Sequence, residues 1–157
     1  MLPKAGWLLP PVFSSYCGVR HIPRHLLTGR TPAQKYETSY ETVAKAIGAF
    51  ASEAHRLDSL QAFFRSVALS CMIGNGDAHL KNYGLVYTDP ASEDVRLSPV
   101  FDVVNTTMYL PDDTLALSLG GQRSLFASRL HFQNLADLCL VPQIFNGQRF
   151  DVNFDGL

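Results

Sequence analysis

The chain has 157 residues, 13 Lys plus Arg against 14 Asp plus Glu, and a formal net charge of −1. That length suits one domain better than two, and 46% hydrophobic against 17% charged residues marks a chain that buries a core rather than one that stays disordered. A pI near 6.5 gives no electrostatic reason for direct nucleic-acid or anionic-membrane binding, and no apolar run approaches the roughly 20 residues that span a bilayer.

Residues 1–35 read as an irregular segment, because Pro3, Pro10, Pro11, Pro23 and Pro32 recur too often for a long helix and no two-residue alternation persists. Lys4 followed by Trp7-Leu8-Leu9 opens like an export signal. Pro10-Pro11 cuts it short, and Tyr16 before Cys17 is too large for a lipoprotein cleavage site, so a cytoplasmic location is expected. His21 and His25 lie four apart, but Pro23 between them argues against a helix that would join them as metal ligands. Cys17, Cys71 and Cys139 are odd in number and widely spaced, which fits reduced thiols and neither a disulfide framework nor a zinc site.

From Thr38 the pattern becomes helical. Thr38-x-x-Glu41 has capping-box spacing, and Val43, Ala46, Ile47, Phe50 and Ala51 share a face. A second helix is expected from near Asp58, carrying Leu60, Phe63, Phe64, Val67, Ala68, Cys71 and Met72 on an apolar stripe. Gly74-Asn75-Gly76 ends it, since glycine readily takes the left-handed conformation of a helix stop. On this stripe Cys71 reads as a small buried apolar group, not a nucleophile. Tyr83–Tyr87 reads as a strand, Thr88–Glu93 as a loop, and Val95–Ser98 as its hairpin partner. Leu130, Leu135, Leu138 and Cys139 predict a third helix that Pro142 ends. The expected fold is therefore mainly α with a small β-hairpin, followed by a polar tail over 143–157.

One polar cluster stands above this background. Asp77 and Asn82 lie five apart on the turn after a buried helix, and Asp102 follows the hairpin after Phe101. Phosphotransferases of the protein-kinase type use such a separation to present a base to the substrate hydroxyl and an amide to magnesium, with a second carboxylate from another segment. Magnesium requires hard oxygen ligands of this kind. Taken singly, the structural reading is favoured for each: Asp77 as an Asx-turn residue, Asn82 as a partner for backbone groups before the strand, and Asp102 as a turn cap. The three in this order, flanked by these strand signals, favour the functional reading. His55 and His131 read as surface or packing residues, Asp112-Asp113 as a solvated loop, and Arg123 and Arg129 as cations without a defined context.

The string Gly-Asn-Gly-Asp-Ala-His-Leu-Lys-Asn, then a hairpin and Leu-Ser-Pro-Val-Phe-Asp, resembles the HipA-like kinases, toxins of type II toxin–antitoxin modules. The matching stretches are Asp77–Asn82 and Leu97–Asp102, and Lys35-Tyr36-Glu37 and Leu117–Gly121 also look like family segments. The resemblance implies a HipA-type, protein-kinase-like helical C-lobe over 36–142, with Asp77 as the general base, Asn82 and Asp102 as Mg²⁺ ligands, and ATP as the phosphate donor. At His79 the resemblance leaves two roles open, contact with a phosphate or bracing of the loop, and Lys81 is either solvent-facing or loop-bracing. It further implies a protein substrate, in the family a translation-related one such as an aminoacyl-tRNA synthetase, and a DNA-binding antitoxin as partner.

Phosphoryl transfer also needs a glycine-rich loop over the phosphates and a strand lysine. None of the four lysines, Lys4, Lys35, Lys45 and Lys81, follows such a loop. The chain thus reads as the magnesium-binding half of a serine/threonine kinase whose nucleotide-binding lobe is missing, with weak or no activity expected. Two other readings are a non-catalytic interaction domain that binds an antitoxin or a partner kinase chain, and a small-molecule phosphotransferase.

Overall fold

The computed structural model describes residues 20–23, 38–88, 93–127 and 129–141. The elements in chain order are β1 (Arg20–Pro23), α1 (Tyr40–Phe50), α2 (Glu53–Ile73), a short 3₁₀ turn (Leu80–Asn82), β2 (Gly84–Tyr87), β3 (Arg96–Leu97) and α3 (Arg129–Leu138). Helix thus dominates the described residues, beside one small antiparallel sheet. Among the described residues no helix is long and apolar enough to cross a membrane.

Helix α1 begins one residue later than the capping-box reading places it. Ser39 is the N-cap, and its hydroxyl accepts from the Thr42 N–H. Glu41 is not the reciprocal cap, because its carboxylate accepts from the Gly120 N–H at 2.7 Å across the fold. Helix α2 starts five residues before the expected Asp58. Its N-cap Ser52 turns its hydroxyl to the Val95 carbonyl rather than to its own helix, so the start carries no local capping signature. Gly74 ends it at φ 71°, as the sequence suggests. The Asn75 N–H reaches the Ser70 carbonyl at 2.8 Å and the Gly74 N–H the Cys71 carbonyl at 3.4 Å, the paired bonds of a Schellman stop.

The sheet has three strands in the order β1-β2-β3, so the hairpin of β2 and β3 gains a third strand from the segment read as irregular. β1 pairs antiparallel with β2 over Arg20↔Tyr87 to Pro23↔Gly84. Four residues are too few to display a period, and a proline is tolerated at the end of an edge strand. The remainder of 1–37, with Lys35-Tyr36-Glu37, Cys17 and His25, lies outside the described residues, as do Pro142 and the tail.

The core forms where α1, α2 and α3 meet the segment 115–125. Tyr40, Val43, Ile47, Phe63, Val67, Leu80, Leu115, Leu117, Leu119, Leu135 and Cys139 are fully or almost fully buried within it. Phe63 and Tyr83 stack edge-on with centroids 4.9 Å apart, and the Tyr40 ring lies 6.4 and 6.3 Å from them. Leu117-Ser118-Leu119 is held to the start of α1 by Tyr40 N–H to Ser118 O (3.0 Å) and Ser118 N–H to Thr38 O (3.3 Å). Three stripe residues depart from expectation: Phe50, Met72 and Leu130 are 49%, 61% and 81% exposed. Each lies near a helix end, where the face runs past its packing partner.

Burial pushes the Cys71 thiol up to about 11 and the Cys139 thiol up to about 12, so both stay protonated at neutral pH, in keeping with a packing role. In a Cys17→Ser background, a disulfide reagent at pH 8 should label Cys71 on the order of 10²-fold and Cys139 on the order of 10³-fold more slowly than in urea, since only the thiolate attacks. Gly48 lies inside α1 with nothing within 4 Å of an added Cβ. Gly48→Ala should therefore stabilise by about 0.5–1 kcal/mol, whereas Phe63→Ala should cost about 3–5 kcal/mol, both read by urea unfolding.

Candidate active site

The candidate site is built on the turn that follows α2. Asn75 is 2% exposed, and its Oδ1 accepts from the Asp77 N–H at 3.0 Å, which sets the backbone as Asp77 leaves the turn. The Asp77 carbonyl then accepts from the His79 N–H at 2.8 Å and from the Asn82 side chain at 3.1 Å. From above, the buried Tyr40 hydroxyl donates to the Ala78 carbonyl at 3.1 Å. Desolvation by burial, with Tyr83 adding to it, pushes the Tyr40 hydroxyl far up, so it remains a proton donor to this loop.

The Asp102 segment packs directly against this turn. Asn82 Nδ2 lies 3.3 Å from Asp102 Oδ2, so two of the residues singled out from the sequence meet across twenty positions of chain. Asp102 is exposed and sits at φ 59°, in the left-handed region that aspartate enters more readily than most residues. Asn75 Nδ2 faces the Asp102 carbonyl at 3.5 Å. Asp77 presents a half-exposed carboxylate, and the His79 ring, 9% exposed, places Nε2 at 3.8 Å from Asp77 Oδ1. Lys81 is exposed. A small recess lies beside Asp102 and Asn82, closed on the far side by Ser66, Ser70 and Tyr83.

A second set of contacts, invisible in the motif, fastens the two segments. The Gly74 carbonyl accepts from the Thr106 and Thr107 N–H groups at 3.0 and 3.3 Å. Thr106 Oγ1 accepts from the Gly76 N–H at 2.8 Å and is hydrogen-bonded to the Asp113 carboxylate. Asp113, read from sequence as part of a solvated loop, is therefore half-buried against this joint and also accepts from the Thr114 N–H at 2.8 Å. Asp112 and Arg123 are exposed and His131 is half-buried. Sequence reasoning assigned Gly74-Asn75-Gly76 only a helix-stopping role. The Gly-Asn-Gly-Asp string was the available signal, but the partners Thr106 and Asp113 carry none.

Chemically, the arrangement offers an open carboxylate at Asp77 and, side by side, the Asp102 carboxylate and the Asn82 amide, whose Nδ2 faces Asp102. Among the described residues no cluster of three or more His, Cys, Asp or Glu side chains is placed to hold a metal. The donor set fits magnesium delivered with phosphate, because Mg²⁺ commonly takes only one or two protein oxygens and completes its shell with phosphate oxygens and water.

Residues 12–150 match the family model for the HipA-like C-terminal domain. A Sinorhizobium fredii protein named "Putative kinase Y4dM" is 34% identical over 101 residues, spanning 63% of this chain and 23% of its own length. A Haemophilus influenzae protein named "Putative kinase" is 31% identical over 71 residues, spanning 45% of this chain and 20% of its own. The chain thus covers about a quarter or less of these curated relatives. Among solved structures, HipA from the complex of the Shewanella oneidensis MR-1 toxin–antitoxin proteins HipA and HipB with operator DNA superposes with a TM-score of 0.64. That match is 19% identical and covers 90% of this chain and 34% of that one.

The joint makes one position intolerant of a side chain. A Cβ on Gly76 would stand 2.1 Å from Asp113 Oδ2 and 2.6 Å from the Thr114 carbonyl oxygen. The carboxylate can swing away but the backbone cannot, so Gly76→Ala should cost about 1–3 kcal/mol by the overpacking rule. Urea unfolding of the variant beside Gly48→Ala, with its opposite sign, tests this.

Proposed function

The chain belongs to the HipA-like C-terminal domain family, and from that premise we propose that it is the magnesium- and substrate-binding lobe of a serine/threonine protein kinase that passes the ATP γ-phosphate to a protein hydroxyl. The contact between Asn82 and Asp102, 3.3 Å apart beside the Asp77 turn, carries this reading. Asp77 would accept the proton of the acceptor hydroxyl, for which its carboxylate is open to solvent. Asp102 through its carboxylate and Asn82 through its amide oxygen would hold Mg²⁺. When bound, the ion would neutralise charge developing on the phosphates. The Asn82 N–H groups bridge Asp102 and the Asp77 carbonyl and so draw the loop together. The burial of His79 beside Asp77 supports bracing over direct phosphate contact.

The 157 residues contain no glycine-rich phosphate loop followed by a strand lysine. Transfer depends on positioning and electrostatics from such parts, and losing one charge-stabilising donor alone costs on the order of 10² in rate. These residues by themselves should therefore bind Mg²⁺–ATP weakly and transfer slowly or not at all. Val100, Phe101, Val103 and Val104 beside Asp102 are each 42–49% exposed, which supports a site completed by a covering lobe. Membership of the family supports a toxin role, and the structural relative, a HipA protein seen together with HipB and operator DNA, supports an antitoxin partner. The pI near 6.5 supports reaching DNA through such a partner rather than directly.

Calorimetry with ATP and Mg²⁺ together tests the reading. Wild type should give a heat that needs both components, lost in Asp102→Ala and retained in Lys81→Ala. Binding unaffected by Asp102→Ala would overturn the assignment of the metal ligands. A folded chain that binds neither component would favour a non-catalytic interaction domain, and transfer to a sugar or antibiotic instead of protein would favour a small-molecule phosphotransferase.

A further inference from the structure

Asn75 reaches the backbone of both halves of the candidate site with a single side chain. It is 2% exposed, so both ends of its amide need partners, since an unpaired buried polar group costs about 1–3 kcal/mol. Its Oδ1 accepts from the Asp77 N–H at 3.0 Å. Only oxygen can meet that donor, which fixes the orientation of the amide and turns Nδ2 toward the Asp102 carbonyl, 3.5 Å away. That carbonyl belongs to a non-glycine residue at φ 59°, a conformation that costs of order 1 kcal/mol and persists where surrounding contacts impose it. The Asp102 side chain then meets Asn82 Nδ2 at 3.3 Å.

We propose that Asn75 is a positioning residue: its buried amide ties the backbone of Asp77 to that of Asp102, and so holds the Asp102 carboxylate against Asn82. Asn75 touches neither phosphate nor acceptor hydroxyl in this role and acts through the two residues it fixes. The proposal rests on the kinase reading for its purpose, but its physical content, the dependence of the Asn82–Asp102 contact on Asn75, stands without nucleotide or metal.

The test is solution NMR of the chain, following the side-chain NH₂ protons of Asn82. In wild type the proton directed at Asp102 should lie downfield, and Asp102→Ala should return it toward the position of a solvated amide. Asn75→Asp has the same shape and keeps the acceptor for the Asp77 N–H, but it sets an oxygen against the Asp102 carbonyl. It should lose the downfield displacement nearly as fully as Asp102→Ala, while the core signals of Leu80 and Leu117 stay dispersed. Asn75→Ala serves as the second variant and should show the same loss. A merely structural Asn75 would lower the melting temperature and leave the Asn82 resonance in place in the folded protein, which overturns the proposal. Coincident Asn82 signals in wild type and Asp102→Ala overturn it too, because no contact then exists to be held. Failure of the kinase reading shows elsewhere, as calorimetric Mg²⁺–ATP binding indifferent to Asp102→Ala with the Asn82 displacement intact.

Discussion

The carbonyl end of α2 is the point on which the site depends. A helix leaves its last carbonyls without partners, and here the Schellman stop at Gly74 satisfies two of them while reversing the chain. The reversal also turns the Gly74 carbonyl outward to accept from the Thr106 and Thr107 N–H groups, and brings the Gly76 N–H onto Thr106 Oγ1. At about 0.5–1.5 kcal/mol net per bond, these contacts together amount to a few kcal/mol, a substantial share of the roughly 5–15 kcal/mol that holds a domain folded. One local backbone event therefore both ends the buried helix and recruits the strip of chain that carries Asp102. A side chain at residue 74 would be disfavoured by φ 71° and would also strike Thr107, so the geometry admits little besides glycine.

Legibility in the sequence followed how local each signal was. The face of α2 through Leu60, Phe63, Phe64 and Val67 shows in its spacing because one helix writes it, and all four are buried. The glycine stop and β2 were legible for the same reason. The start of α2 was not, because Ser52 spends its hydroxyl on Val95, and the strand Arg20–Pro23 was not, because it exists by pairing with β2 sixty residues away. Glu41 shows the limit of motif spacing. It sits where a capping box wants a carboxylate, yet bonds Gly120, a partner no local pattern contains.

The same division runs through the candidate site. Asp77, Asn82 and Asp102 were legible as residue types in a characteristic order, and the fold brings Asn82 and Asp102 into contact. The residues that fasten the two segments beside that contact, Asn75, Thr106 and Asp113, were not. The bonds of Asn75 and Thr106 join segments about 30 residues apart, and asparagine, threonine and aspartate in turns are too common to be noticed singly.

Exposure separates the two kinds of residue physically. The groups proposed to meet a substrate or an ion, Asp102 and the Asp77 carboxylate, stay open, and an open carboxylate is held poorly by its own contacts because water competes for it. Its placement must then come from the backbone, and a backbone is held best by partners that water cannot reach. Asn75 and Asn82, 2% and 7% exposed, meet that condition, since amides offer donor and acceptor together and carry no charge that burial would penalise. An aspartate at either position would bring a buried charge against backbone carbonyls, and an apolar residue at 75 would remove the partner that the Asp77 N–H and the Asp102 carbonyl share. The two asparagines thus answer a constraint set by the exposed carboxylates: the more accessible a carboxylate, the more buried the groups that must hold its backbone.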